Sequence, residues 1–431
     1  MGSHWCSGAG RSPLVRIVLA LLVLFAATPP ASAYSVLTHE QIIDRVWTSD
    51  LQPLLLQRYP GLTVDQLHVA HAYAYGGAIV DDLGYYPKGN HLFSDLAHYV
   101  RSGDLIEAML KQSRDSNEFA FALGMLAHYS GDTFGHPAVN ETVGIEFPKL
   151  RRRFGPVVTY EDNPSAHLRV EYSFDIVQIG KYRFPSTAYA DFVGFQISTT
   201  LLARVYPQVY GLPLSQVLPN PDLAIGTFRY AVGTVLPKLT SAALKSYRAQ
   251  FVKEDPKFNP REYLYTLQRK QYDKQWGRKY QRPGWLQRLL ADIIVHLPKI
   301  GPLRALAFRA PTARAESLYV QSVATTIGHY QEYIGAERAD ALHLPNRNLD
   351  TGAAVHRGDY RLADETYFQL VRQLAASDFA TASPLLRNNI LGFYSEPAGA
   401  PDPGLSPRDR ADLQGWLQLL AATAATPAPA R

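Results

Sequence analysis

Apolar residues along most of this chain recur every three or four positions, the spacing that gathers them on one side of an α-helix. In THEQIIDRVWTSDLQPLLLQRY, Ile42, Ile43 and Val46 share a face, and Thr38 stands where an N-cap is expected. The same period runs through residues 104–110, TAYADFVGFQISTTLLARVY and NPDLAIGTFRYAVGTVLPKL, and returns in ESLYVQSVATTIGHYQEYI and LADETYFQLVRQLAA. Alternation of period two, the mark of a half-buried strand, is sparse and reaches only PVVTYED. No repeat of fixed period occurs. The pattern predicts an all-α, multi-helix bundle over residues 34–240, followed by a further helical region over 241–395 and a Pro/Ala-rich disordered tail over 396–431.

One helix carries more than packing. In FALGMLAHYSGDTFGHPAVN, His128, Asp132 and His136 are spaced four apart and project from nearly one face. Two imidazoles and a carboxylate on one stripe form a ligand set for a borderline-soft divalent ion such as zinc. Two satisfied core histidines are the plain alternative. The apolar run before them predicts a buried, water-poor setting, while Gly135 and Pro137 predict that the helix ends near His136 and turns it toward a different ion. Of 13 histidines, eight fall between His39 and His167. Candidate ligands recur there: His39, Asp81, Asp82, His91, His98, and the i, i+4 pair His167 and Glu171. His68 and His71 are expected in core or supporting roles, and His296, His329, His343 and His356 as structural residues. Tyr85 and Tyr86 are expected to pack.

The N-terminus reads as an export signal over residues 1–33: Arg11 and Arg16, an apolar run, and a small-x-small site at Ala31–Ala33. Cleavage there makes Tyr34 the first mature residue and removes Cys6, the single cysteine, so thiol chemistry and disulfides are excluded from the mature chain. The product is expected to be secreted or periplasmic. A net charge of +5 suits an anionic surface or a phosphate-bearing substrate and identifies neither. Between about 241 and 282, lysines and arginines alternate with tyrosines, a platform for phosphates or headgroups or else a solvated helical insert. The amphipathic WLQRLLADIIVHLPKIGPLRALAFR follows, an interfacial segment or an ordinary core helix.

Taken in order, T-H-x-x-I near the expected mature start, G-A-I-x-x-D, a following N-H, L-A-H-Y-x-G-D-x-x-x-H-P and H-x-x-x-E resemble the zinc-dependent phospholipase C family. That family is related to the single-strand-specific P1-type nucleases and to the catalytic domain of glycosylphosphatidylinositol-specific phospholipase D. The likeness covers residues 34–175 and fades beyond about 240. It implies an all-helical phospholipase C/P1 nuclease-like bundle and three zinc ions. By this resemblance Asp82, His91, His128 and Asp132 hold the first ion, and His136, His167 and Glu171 the second. His39, a bridging Asp132, and the free amine and carbonyl of Tyr34 hold the third. His98 stands as the alternative to His91, and Asp81 as the alternative to Asp82 or as a neighbouring base.

The resulting expectation is an exported zinc-dependent phosphodiesterase, a phospholipase C that hydrolyses the glycerol–phosphate bond with a metal-activated water. Asp82 or Asp81 orients that water or takes its proton. The partner is a phospholipid substrate at a membrane surface, and no protein partner is expected. Two other readings compete: a P1-type nuclease, in which nucleic acid is the substrate, and a non-catalytic zinc-stabilised surface protein.

Overall fold

The computed structural model describes residues 35–180, 195–254, 306–396 and 404–424, together with 284, 285, 288, 289, 293 and 304. In chain order the helices are α1 (Val36–Val46), α2 (Gln52–Arg58), α3 (Val64–Val80), α4 (His91–Tyr99), α5 (Ser102–Gln112), α6 (Ser116–Glu146), α7 (Pro148–Phe154) and α8 (Pro164–Gly180). After them come α9 (Thr199–Tyr210), α10 (Leu214–Val217), α11 (Pro221–Tyr230), α12 (Leu236–Ser246) and α13 (Arg248–Glu254). The C-terminal part adds α14 (Ala313–Arg338), α15 (Arg361–Ala375), α16 (Pro384–Ser395) and α17 (Pro407–Ala424), the last a helix within the 396–431 stretch expected to be a disordered tail. The all-α expectation holds. Among the described residues there is no strand, only a bridge between Arg347 and Ala354. PVVTYED, where alternation hinted at a strand, is loop and turn because Pro156 and the Asp162 turn supply no partner edge.

Helix α6 is the axis of the molecule. Of its 31 residues, 24 are buried, so past its N-terminal end all but a narrow stripe at Phe134, Pro137, Ala138, Glu141 and Ile145 is covered by neighbouring elements. Asp115 caps it, accepting from the N–H groups of Asn117 and Glu118 at 2.9 Å. Helix α3, opened by a Thr63–Gln66 capping box, lies against it. The two backbones meet where both lack a side chain: a Cβ on Gly77 would collide with the Phe121 carbonyl, and one on Gly124 with the Ala74 carbonyl. On another side runs α14, whose Tyr330 hydroxyl donates to the Leu123 carbonyl at 2.8 Å. The described residues of the C-terminal half thus share one continuous apolar core with the first half.

Three local expectations are corrected. Thr38 does not cap α1: Ser35 holds the N-cap position without a side-chain cap bond, and the N–H groups of Leu37 and Thr38 donate to Asp175 of α8, both at 3.1 Å. A carboxylate from a neighbouring helix replaces the local cap. The first predicted helix is divided by a π-helical turn at Trp47–Leu51, because Pro53 at the start of α2 has no N–H for the preceding turn. Residues 195–198 are not helical, α9 beginning only at Thr199, and the Gln196 N–H donates to the Ala72 carbonyl across the gap that Gly76 leaves. The export signal, Tyr34, most of the basic-aromatic and amphipathic stretches and the last seven residues lie outside the described residues. Among the described residues no helix is long and apolar enough to cross a membrane.

Candidate metal centre

His128, Asp132 and His136 do share a face of α6, and all three are fully buried. The helix does not end near His136, however; it runs on through Pro137 to Glu146. Proline leaves the Thr133 carbonyl without its helical donor. Gly352, at φ +71°, packs its backbone against that carbonyl, where a Cβ would not fit. The gap in the helix is thereby covered by a loop from the C-terminal half.

Asp132 is the hub. Its Oδ1 lies 3.4 Å from Nε2 of His39, and its Oδ2 lies 3.4 Å from Nε2 of His98 and 3.2 Å from Nε2 of His128. His98 also approaches Oδ1 of Asp82 at 3.5 Å. A second group sits further along α6, where Nε2 of His136 is 3.8 Å and Nε2 of His167 is 2.8 Å from Oε1 of Glu171. Three triads therefore offer donor atoms within 4.8 Å of one another: His39, His128 and Asp132; Asp82, His98 and His128; and His136, His167 and Glu171.

Sequence logic accounts for much of this. Asp82 lies in a 3₁₀ turn, Asp81–Tyr85, directly after α3, so the α3–α6 crossing carries it to His128. His39 on α1 stacks on His128 with ring centroids 4.4 Å apart. It fits because Gly131 has no side chain: a Cβ there would stand 3.0 Å from two atoms of the His39 ring. His167 and Glu171 face inward from α8, one turn apart. His91 is not brought to the cluster. It begins α4 at the exposed end and meets the edge of Tyr85, whereas His98, two turns on and fully buried, reaches Asp82 and Asp132. Asp81 is buried beside the triads without entering one.

The donor set fits a divalent cation. Nδ1 of His128 faces the Ala78 carbonyl at 2.9 Å, Nδ1 of His98 faces the Ser94 carbonyl at 2.8 Å, and Nδ1 of His136 faces the Leu349 carbonyl. A ring nitrogen facing a carbonyl carries the proton, so each Nε2 presents a lone pair. Those three Nε2 atoms, both oxygens of Asp132 and Oε1 of Glu171 are buried and make no hydrogen bond. Donors about 2.0–2.1 Å from a tetrahedral zinc stand about 3.4 Å from each other. The separations around Asp132, 3.2–3.5 Å, match that edge and exceed a charge-assisted hydrogen bond.

Electrostatics agree. Burial pushes Glu171 well above the carboxylate range, and the charges of Asp82 and Asp132 push it further. Burial also opposes charge on Asp132, but the imidazoles of His128 and His136 outweigh it and hold this carboxyl well below its usual range. For His128, burial is outweighed by Asp132 and the imidazole rises to about 9; burial lifts Asp81 to about 6. So many buried carboxylates repel one another unless a cation lies among them.

Other aromatic and imidazole groups fall into place. Tyr85 packs, as expected, but also walls the site, its ring centroid 5.6 Å from that of His98 and its hydroxyl donating to Asp95. Tyr86 packs on Phe228. His71 pairs with Asp44 and stacks on Trp47, while His329, His343 and His356 pair with surface glutamates. His296 lies outside the described residues. What sequence reasoning missed is the loop bearing Leu349 and Asp350, whose contacts run largely through the backbone.

Residues 38–218 match the family model described as zinc dependent phospholipase C. No curated protein and no solved structure matches the chain.

Proposed function

We propose, on the match of residues 38–218 to the zinc dependent phospholipase C family, that this protein is an exported phosphoric diester hydrolase that cleaves the glycerol–phosphate bond of phospholipids. The observation that carries this reading is the convergence of three His/carboxylate triads on Asp132 and Glu171, with imidazole tautomers fixed from behind.

We assign three zinc ions. Asp82, His98, His128 and Asp132 hold one, with His98 in the role the resemblance gave to His91. His136, His167 and Glu171 hold another. His39 and Asp132, with the amine and carbonyl of a processed Tyr34, hold the third. Zinc, when bound, would neutralise phosphate charge and lower the pKa of a held water to about 7.

The chain's own groups do the rest. Asp132, with one oxygen toward His39 and the other toward His98 and His128, would set the separation of the ligand sets. Asp82 is committed as a ligand, so Asp81, raised by burial to about 6, is the carboxylate suited to take a proton from the attacking water near neutral pH. The apolar packing of α3, α4 and α6 keeps bulk water from competing for the histidines.

The test is a substrate panel. Purified processed protein with zinc is given phosphatidylcholine vesicles, single-stranded DNA and a chromogenic phosphodiester. Diacylglycerol release is expected. Cleavage of DNA alone would transfer the protein to the nuclease reading, and stoichiometric zinc without any turnover would make it a zinc-stabilised structural protein.

A further inference from the structure

The loop between α14 and α15 lies outside the matched residues 38–218, yet it touches both ligand groups. Leu349 is 1% exposed; its N–H donates to the carbonyl of His98 at 3.0 Å, and its carbonyl accepts from Nδ1 of His136. Asp350, fully buried, accepts on one oxygen from the Tyr99 hydroxyl at 2.7 Å and the Tyr360 hydroxyl at 2.6 Å. The Asp350 carbonyl accepts from the Asn140 side chain at 2.9 Å. Tyr99 follows His98 in sequence, and Asn140 is one turn beyond His136, so each contact repeats the same connection.

We propose that residues 348–352 are a positioning element of the metal centre, in which Leu349 joins the His98 ligand set to the His136 ligand set and Asp350 locks Leu349 in place. His98 and His128 take their Nδ1 acceptors from the matched part of the chain, Ser94 and Ala78. His136 takes its acceptor from a residue 213 positions away. Its ring therefore points correctly only when the C-terminal half is docked. Asn348 braces the turn by accepting the Asp350 N–H at 2.9 Å, and Gly352 seats it on the gap at Pro137. Outer partners of this kind set ring orientation and ligand basicity, and losing them weakens metal binding about 10- to 100-fold.

This inference rests on the zinc reading, and the experiment separates the two. Zinc affinity is measured by chelator competition, and ligand geometry by the visible spectrum of the cobalt-substituted protein. The full-length processed chain is used as wild type, Asp350→Ala, Asp350→Asn and the double variant Tyr99→Phe/Tyr360→Phe. The expected result is zinc binding weakened about 10- to 100-fold in Asp350→Ala and the double variant, a shifted cobalt spectrum, and partial rescue in Asp350→Asn, whose amide oxygen still accepts the hydroxyls. Metal-free circular dichroism should stay helical throughout. Should Asp350→Ala fail to fold, the double variant decides, since it removes two hydroxyls and no ring. Wild-type affinity and spectrum in the double variant overturn the proposal, as does loss of its metal-free fold, which would mark the loop as a support of the fold alone. A wild-type protein that takes up no zinc sinks the zinc reading itself.

Discussion

Nε2 of His128 and Oδ2 of Asp132 face each other across one turn of α6 at 3.2 Å, beyond a charge-assisted hydrogen bond and close to the edge of a zinc tetrahedron. The pair is spaced for a shared ion rather than for each other.

Asp132→Ala removes the carboxylate of the His39 triad, which also approaches His98 and His128 of the Asp82 triad. At least two zinc ions per chain should be lost, and phosphatidylcholine hydrolysis should fall to the level of the blank. Elemental analysis and a diacylglycerol assay read both; full zinc content with full turnover rejects the assignment.

His98 and His91 separate cleanly. His98→Ala should cost zinc and nearly all turnover, whereas His91→Ala, at the exposed start of α4, should leave both within about twofold, as surface changes usually do. The reverse result returns the ligand role to His91.

Zinc uptake should release protons. In the metal-free protein His128 titrates near 9, so at pH 7 it is protonated and zinc must displace that proton. Apparent affinity should therefore rise as pH is raised from 6 toward about 9 and flatten above. Calorimetry in buffers of different ionisation enthalpy counts the protons; zero release at pH 7 contradicts a His128 raised by Asp132 to about 9.

Gly131→Ala places a methyl 3.0 Å from the His39 ring. A stability cost of about 1–3 kcal/mol is expected, with weakened zinc at the site His39 serves. Gly124→Ala should cost more in thermal denaturation, because the obstacle there is the Ala74 backbone rather than a side chain that can turn.

Extension of the processed chain by one residue before Tyr34 converts its amine into an amide. One zinc and most activity should disappear. Equal zinc content and activity in the extended and processed forms refute N-terminal ligation.

Much of this site was legible in the sequence for a simple reason: helical ligands at i and i+4 face the same way wherever the helix is packed. His128 with Asp132 and His167 with Glu171 needed no tertiary information. The choice between His91 and His98 did, since seven residues separate them and helical period puts both on one side; only the depth at which α4 enters the core decides. Pro137 misled because local propensity ends helices at proline, whereas here the Gly352 loop packs over the gap. Thr38 misled likewise, its capping role taken by Asp175 from a distant helix. Leu349 left no trace at all, because a backbone N–H and carbonyl are common to nearly every residue.

Where α3 meets α6, Gly77 and Gly124 bring main chain onto main chain, and the Ala78 carbonyl that steers His128 is the next residue along. Such a seam leaves no ridge of side chains over which one helix can slip past the other. Translation along it would swing the imidazole off its lone-pair direction, so the pair must travel as a single rigid piece, and any opening that admits a substrate has to be made by the segments around it.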